Sequence, residues 1–129
     1  MDLSFTPLAL RPEWVSILAD WFQTEWPEQF EEHSATEHFE KELNRDSIPI
    51  ALVAVAKDTP IGVVSLRDSG QLEGVGPWVG GLYVHPEIRG YGVGTALVRV
   101  AATLCWQLQH PELFVGTTLD GYFERLGFD

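Results

Sequence analysis

The 129 residues predict a mixed α/β domain with a mainly antiparallel sheet, in the order β-α-α-β-β-β-α-β-α. Three observations carry that prediction. Ile50–Ala56 is a near-continuous apolar run, followed by a turn and a second apolar run at 61–66, the pattern of a hairpin. Trp78–Val84 bears no charge on either face, as expected of a strand covered on both sides. From 82 to 98 a strand passes through a proline turn and three alternating glycines directly into an apolar helix. An antiparallel meander that finishes in a β-α-β crossover makes a mixed sheet.

The elements follow in chain order. Residues 5–10 alternate as a first strand, stopped by Arg11 and Pro12. Pro12 suits the first turn of a helix. Trp14, Ile17, Leu18, Trp21, Phe22 and Glu25 then fall on one helical stripe, closed by Trp26 and Pro27. After an irregular acidic stretch at 27–34, a second helix spans 36–44 with Phe39 and Leu43 inward. The hairpin turns at Asp58, Thr59 and Pro60, and 69–77 is a glycine-rich loop. The helix after the glycines covers 95–109, a short strand 113–115, and a last helix 119–126 capped by Gly127.

Length and 45% hydrophobic content fit one globular domain over residues 1–129. A single cysteine, Cys105, excludes an internal disulfide framework and fits a reducing cytoplasm; mid-helix among apolar residues, it reads as packing. No apolar run approaches a membrane span. The net charge of −11 argues against nucleic acid or anionic membrane as a partner and favours cationic ligands. His33, His38, His110 and Cys105 have no metal-ligand spacing, so no metal is expected.

The corner at 89–94 carries the most chemistry. A glycine-rich passage from strand to helix aims unpaired N–H groups and a positive dipole end at one point, which suits a phosphate or pyrophosphate. Three readings compete. The glycines could simply start a helix. A dinucleotide fingerprint begins with Gly90 and Gly92 but fails at Thr95, late in the chain, and no P-loop lysine is present.

The third reading is a resemblance. Arg89-Gly90-Tyr91-Gly92-Val93-Gly94 resembles the R/Q-x-x-G-x-G/A signature of the GCN5-related N-acetyltransferase (GNAT) superfamily. Leu82-Tyr83-Val84-His85-Pro86 resembles its lead-in, and Phe123 to Phe128 its aromatic-Glu-x-Leu-Gly-Phe ending. With Pro77-Trp78 before the fourth strand, the chain looks most like small bacterial members. The resemblance covers essentially the whole sequence and implies a sheet with splayed central strands. It implies acetyl-CoA as cosubstrate, with backbone groups of Leu82, Tyr83 and Val84 pairing with the pantetheine arm. Arg89, Gly90, Tyr91, Gly92, Val93, Gly94 and Thr95 would wrap the pyrophosphate, through backbone more than the Arg89 side chain.

Direct transfer needs a neutral amine, an oxyanion donor and an acid for the departing thiolate. The resemblance implies a backbone N–H near Tyr83 and Val84 as oxyanion donor. Where relatives carry a tyrosine as thiolate acid this chain has Phe123; the adjacent Tyr122 is the candidate, one helical step of about 100° away. No carboxylate lies on the fourth strand. Glu25 and Glu28, with Glu31, fall where the family's acceptor pocket is walled, and each also reads as part of a solvated acidic loop. Trp26 is the aromatic residue expected to face substrate, and His85 falls in the surface turn.

These features imply acetyl transfer to a primary amine of a small, cationic acceptor. A coenzyme A-binding module with weak or lost catalysis is the alternative, motivated by Phe123. Relatives continue into a further strand beyond the position of Asp129, so the final strand looks missing and the short strand at 113–115 would be an exposed edge. Either the sequence is truncated, the fold tolerates the gap, or a homodimer covers the edge, and self-association is the expectation.

Overall fold

The computed structural model describes residues 2–28, 30, 32–67, 78–109 and 114–115, without the side chains of 32–34, 114 and 115. Five strands lie side by side in sequence order: β1 (Ser4–Pro7), β2 (Ile50–Ala56), β3 (Thr59–Arg67), β4 (Trp78–Val84) and β5 (Phe114–Val115). The first four are antiparallel and β5 runs parallel to β4. Helices α1 (Val15–Glu25) and α2 (Glu32–Glu40) cover one face, while α3 (Val93–Gln107) covers the other.

Alternation along β2 divides the core between those faces. Ala51, Val53 and Val55 pack beneath α1 and α2; Ile50, Leu52 and Ala54 pack beneath α3. Both sets are apolar because both faces are covered, which is why the run shows no alternation of polarity. The hairpin turns at Lys57 and Asp58, one position earlier than expected, and both adopt positive φ, so Ala56 pairs directly with Thr59. Two positive-φ residues match the right-handed twist of the flanking strands.

Several boundaries shift for local reasons. β1 ends at Pro7, which cannot donate to the ladder, and Leu8–Leu10 forms a 3-10 turn instead of continuing the strand. The stripe of α1 is rotated from the expected one: Val15, Leu18, Ala19 and Phe22 are buried, whereas Ile17 is 39% exposed. Helix α2 starts earlier than residue 36 and ends at Glu40, where Asn44 Nδ2 donates to the carbonyls of Lys41 (3.2 Å) and Pro49 (2.7 Å) and staples the exit. Helix α3 starts two residues before Thr95, because Gly92 in a left-handed conformation caps it. The expected loop at 69–77 and helix at 119–126 lie outside the described residues.

Two glycines break the alternation of β4. Val63 faces Tyr83 but Ser65 faces Gly80, so two steps along β3 span three along β4. The extra residue is accommodated at Gly81, whose φ of +58° suits glycine. Val79 packs beneath α3; after the bulge Tyr83 turns to the α1 face, and Leu82 and Val84 to the α3 face. The strand is therefore not covered throughout, contrary to the expectation from its lack of charge: Gly80, Gly81, Leu82 and Val84 are half-buried.

A polar clasp ties α2 to β3. Ser65 Oγ donates to Glu42 Oε1 at 2.8 Å, Arg67 Nε donates to Oε2 at 3.4 Å, and Arg67 approaches His38 Nε2 at 3.0 Å. Burial pushes the Glu42 carboxyl above its ordinary range, against the opposing pull of Arg67 and Ser65. Burial, with Arg67 and Lys41 adding to it, pushes His38 down from 6.5 to about 4. His38 is thus neutral at pH 7 and accepts from Arg67; its 3.6 Å approach to Glu42 is not an ion pair there.

A depressed histidine stabilises the fold above its unfolded value, and that stabilisation is lost as pH falls through the folded one. Wild type is expected to lose about 2–3 kcal/mol relative to His38→Gln between pH 6.5 and about 4, read from denaturant unfolding at each pH. Glu42 shifts with the opposite sign and is common to both proteins, so the difference isolates His38. Parallel pH profiles would refute the assignment.

Candidate functional site

Beyond the bulge, β4 has one open edge. Successive residues direct their backbone groups to opposite edges of a strand. The Tyr83 carbonyl lies against Gly62 of β3, so Leu82 and Val84 present theirs to the other side. Among the described residues the parallel partner β5 registers only against Trp78 and Val79, leaving that side to a cleft beside Leu82 and Val84.

The chain then turns sharply. His85 N–H donates to the Ile61 carbonyl at 2.9 Å, and its Nδ1 accepts from the Glu87 N–H at 3.2 Å, starting a 3-10 turn at Pro86–Ile88. His85 therefore shapes the turn. Gly90 and Gly92 follow with φ of +92° and +82°, and α3 starts at Val93. The first intrahelical bond is donated by Ala96 to Gly92. The N–H groups at the start of the helix accordingly have no partner within it and carry its positive dipole end.

These parts enclose a cavity of about 430 Å³ lined by Leu82, Tyr83, Val84, Ile88, Arg89, Gly90, Gly92, Val93, Gly94 and Thr95, with Glu25 and Trp26 across from them. Most of the expected cofactor residues are thus gathered at one cavity. Tyr91 is not among the lining residues and is 71% exposed. Ile88 was missed from sequence, although an apolar residue between the proline turn and the glycines is the signal that would have found it.

Glu25 closes the far wall. Its Oε1 lies 3.6 Å from the guanidinium of Arg89, whose Nε donates to the Val84 carbonyl at 2.9 Å. The Arg89 side chain is thus folded onto β4 and Glu25, sitting 5.4 Å over the Tyr83 ring. Tyr83 is held by Trp21, stacked at 5.3 Å, and by the edge of Trp26 at 6.0 Å. Burial raises the Tyr83 phenol above its ordinary value; Arg89 opposes this, while Glu25 and Asp20 reinforce it. The phenol therefore stays protonated at neutral pH. Glu28 is exposed and does not line the cavity, so the structure separates it from Glu25. Tyr122 and Phe123 lie outside the described residues.

Residues 15–128 match the model of the acetyltransferase (GNAT) family. The chain belongs to that family. An aminoglycoside 6'-N-acetyltransferase solved with coenzyme A is 25% identical, with a TM-score of 0.73 over 91% of this chain and 62% of its own. The chain thus spans less than two thirds of that relative. The aminoglycoside N-acetyltransferase AAC(6')-Iy, solved with a coenzyme A bisubstrate analogue, is 17% identical with a TM-score of 0.77, covering 100% of this chain and 92% of its own. A putative acetyltransferase from Exiguobacterium is 21% identical with a TM-score of 0.73, covering 100% and 86%. No curated protein sequence matches.

The residues fit the GNAT cosubstrate on their own chemistry. An extended, amide-bearing arm can pair with the open edge at Leu82 and Val84 as an added strand does. A pyrophosphate can take the free donors at the start of α3, which local geometry supplies against the acidic whole. At Gly90 and Gly92 a Cβ would meet nothing within 4 Å, so the loop surface is open to such a group. Among the described residues no group of three or more His, Cys, Asp or Glu could hold a metal, and no helix is long and apolar enough to cross a membrane.

Proposed function

We propose that this protein is an acetyl-CoA-dependent N-acetyltransferase acting on a primary amine of a small cationic acceptor, by direct attack while both substrates are bound. The observation that carries the reading is the junction, in one cavity, of the open β4 edge with the unpaired donors at the start of α3. The acidic net charge and Glu25 on the cavity wall support a cationic acceptor, as does the likeness to aminoglycoside N-acetyltransferases.

Acetyl-CoA supplies a thioester carbonyl. The amine forms a C–N bond to that carbon as the C–S bond breaks, the amine gives up a proton, and the thiolate gains one. Val93, Gly94 and Thr95 hold the pyrophosphate through backbone N–H groups, with the rest of the 89–95 loop wrapped around it. Leu82 and Val84 align the pantetheine arm, and a backbone N–H of this edge donates to the oxygen that gains charge. Arg89 leaves the Val84 carbonyl when the arm pairs there. Glu25 attracts the ammonium and collects its proton through water. Tyr122 is the acid proposed for the thiolate, and Trp26 walls the acceptor. The reaction is placed in the cytoplasm, where acetyl-CoA and a reduced Cys105 are both sustained.

Thiol release across a panel of polyamines, aminoglycosides, amino acids and peptides tests this reading. Release is expected with cationic amines, and Glu25→Gln is expected to lower it at least tenfold while acetyl-CoA binding holds. Tight acetyl-CoA binding without release for any amine would favour the coenzyme A-binding module. Absence of acetyl-CoA binding by calorimetry would reject both.

A further inference from the structure

The clasp of Glu42, Ser65 and Arg67 has no part in the chemistry above, yet it touches the element on which that chemistry depends. The Glu42 side chain is 3% exposed, and both its carboxylate oxygens are held by β3. Ser65 and Arg67, two residues apart, share the α2 face of that strand, and Gly80 stands directly opposite Ser65. A Cβ on Gly80 would lie 3.1 Å from Arg67 NH1. One on Gly81 would lie 2.7 Å from Arg67 NH2 and 3.3 Å from Ser65 Oγ. The guanidinium thus rests on the backbone of the bulge, and a side chain at Gly81 would have to displace it.

An ion pair between a buried carboxylate and a half-buried guanidinium is a poor source of stability, because desolvation of the carboxylate offsets much of the attraction and an apolar pair of similar volume does as well. It does supply direction. Arg67 is fixed by Glu42 on one side and His38 on the other, and its planar fork cannot move off Gly80 and Gly81 without breaking those bonds. We infer that Glu42 and Arg67 are positioning residues for acetyl transfer: they brace the Gly80–Gly81 bulge and so fix the direction in which Leu82 and Val84 offer their backbone groups to the thioester. The inference rests on the proposed acetyl transfer.

The test replaces the pair by apolar residues of similar volume, Glu42→Leu with Arg67→Met. Arg67→Met alone is expected to lower the melting temperature, because it leaves the buried carboxylate without its cation. The double variant is expected to recover it. Its kcat, with the best amine of the panel, should nonetheless stay at least tenfold below wild type, while KM for acetyl-CoA changes less than threefold. A stable double variant with wild-type kcat overturns the inference. If the double variant fails to fold, Arg67→Lys keeps the charge beside Glu42 but loses the planar contact, and an unchanged kcat there overturns it equally. If wild type binds acetyl-CoA but turns over no amine, the functional reading fails separately. The brace is then read from amide hydrogen exchange: faster exchange at 80–84 in the double variant supports it, and unchanged exchange overturns it.

Discussion

Phe22→Ala is expected to cost about 3–5 kcal/mol, which for a domain of this size lowers the melting temperature by roughly 10–20 °C. Phe22 is 1% exposed and stands at the centre of an aromatic cluster. Its ring centroid lies 4.8 Å from Phe39, 5.0 Å from Trp26, 5.5 Å from Phe30 and 6.0 Å from Tyr83. Removing the ring opens a cavity between α1, α2 and β4 that those rigid neighbours can fill only in part. Total stabilities of about 5–15 kcal/mol leave little margin for such a loss. Trp26 and Tyr83, both on the wall of the site, lose their common support, so acceptor turnover should fall further than the folded fraction does. Thermal unfolding followed by circular dichroism checks the first effect. A shift below about 3 °C would show that the cluster is not packed as described.

Gly92→Val is expected to weaken acetyl-CoA at least tenfold and to cost about 1–2 kcal/mol or more of stability. Gly92 caps α3 with φ +82° and ψ 10°, a conformation that costs a side-chain-bearing residue about 1–2 kcal/mol, and more when it is β-branched. A Cβ added there meets nothing within 4 Å among the described residues, so the expected effect comes from backbone preference. Relaxing to negative φ turns the donors at the start of α3 away from their common focus. Gly92→Asn, whose side chain tolerates this region, is expected to retain most of the affinity. Titration calorimetry of both variants decides the matter: equal affinities for wild type and Gly92→Val would remove the loop from the binding site.

The geometry of the corner proposed to hold the cofactor was legible in sequence because it is local. Proline, alternating glycines and an apolar helix occupy consecutive positions, and each dictates backbone geometry where it stands. The acceptor half was less legible. Glu25 and Glu28 are three residues apart with the same chemistry and both are exposed, and only the end of α1 at Glu25 separates a residue that lines the cavity from one that does not. Glu42 carries a sequence signal of its own: with Phe39 and Leu43 it falls at i, i+3 and i+4, an acid on an inward stripe.

The residue pattern alone accounts for β2 and β4 to the residue, the meander with its crossover, and the corner that starts α3, since turn chemistry and apolar periodicity act over a few neighbours. Three features came only from packing. They are the face of α1 that is buried, the side chain of Arg89 folded onto Val84 and Glu25, and the clasp that sets Arg67 against the β4 bulge. Each depends on residues distant in the chain, and the cost or gain of burying a charge exists only once those residues meet.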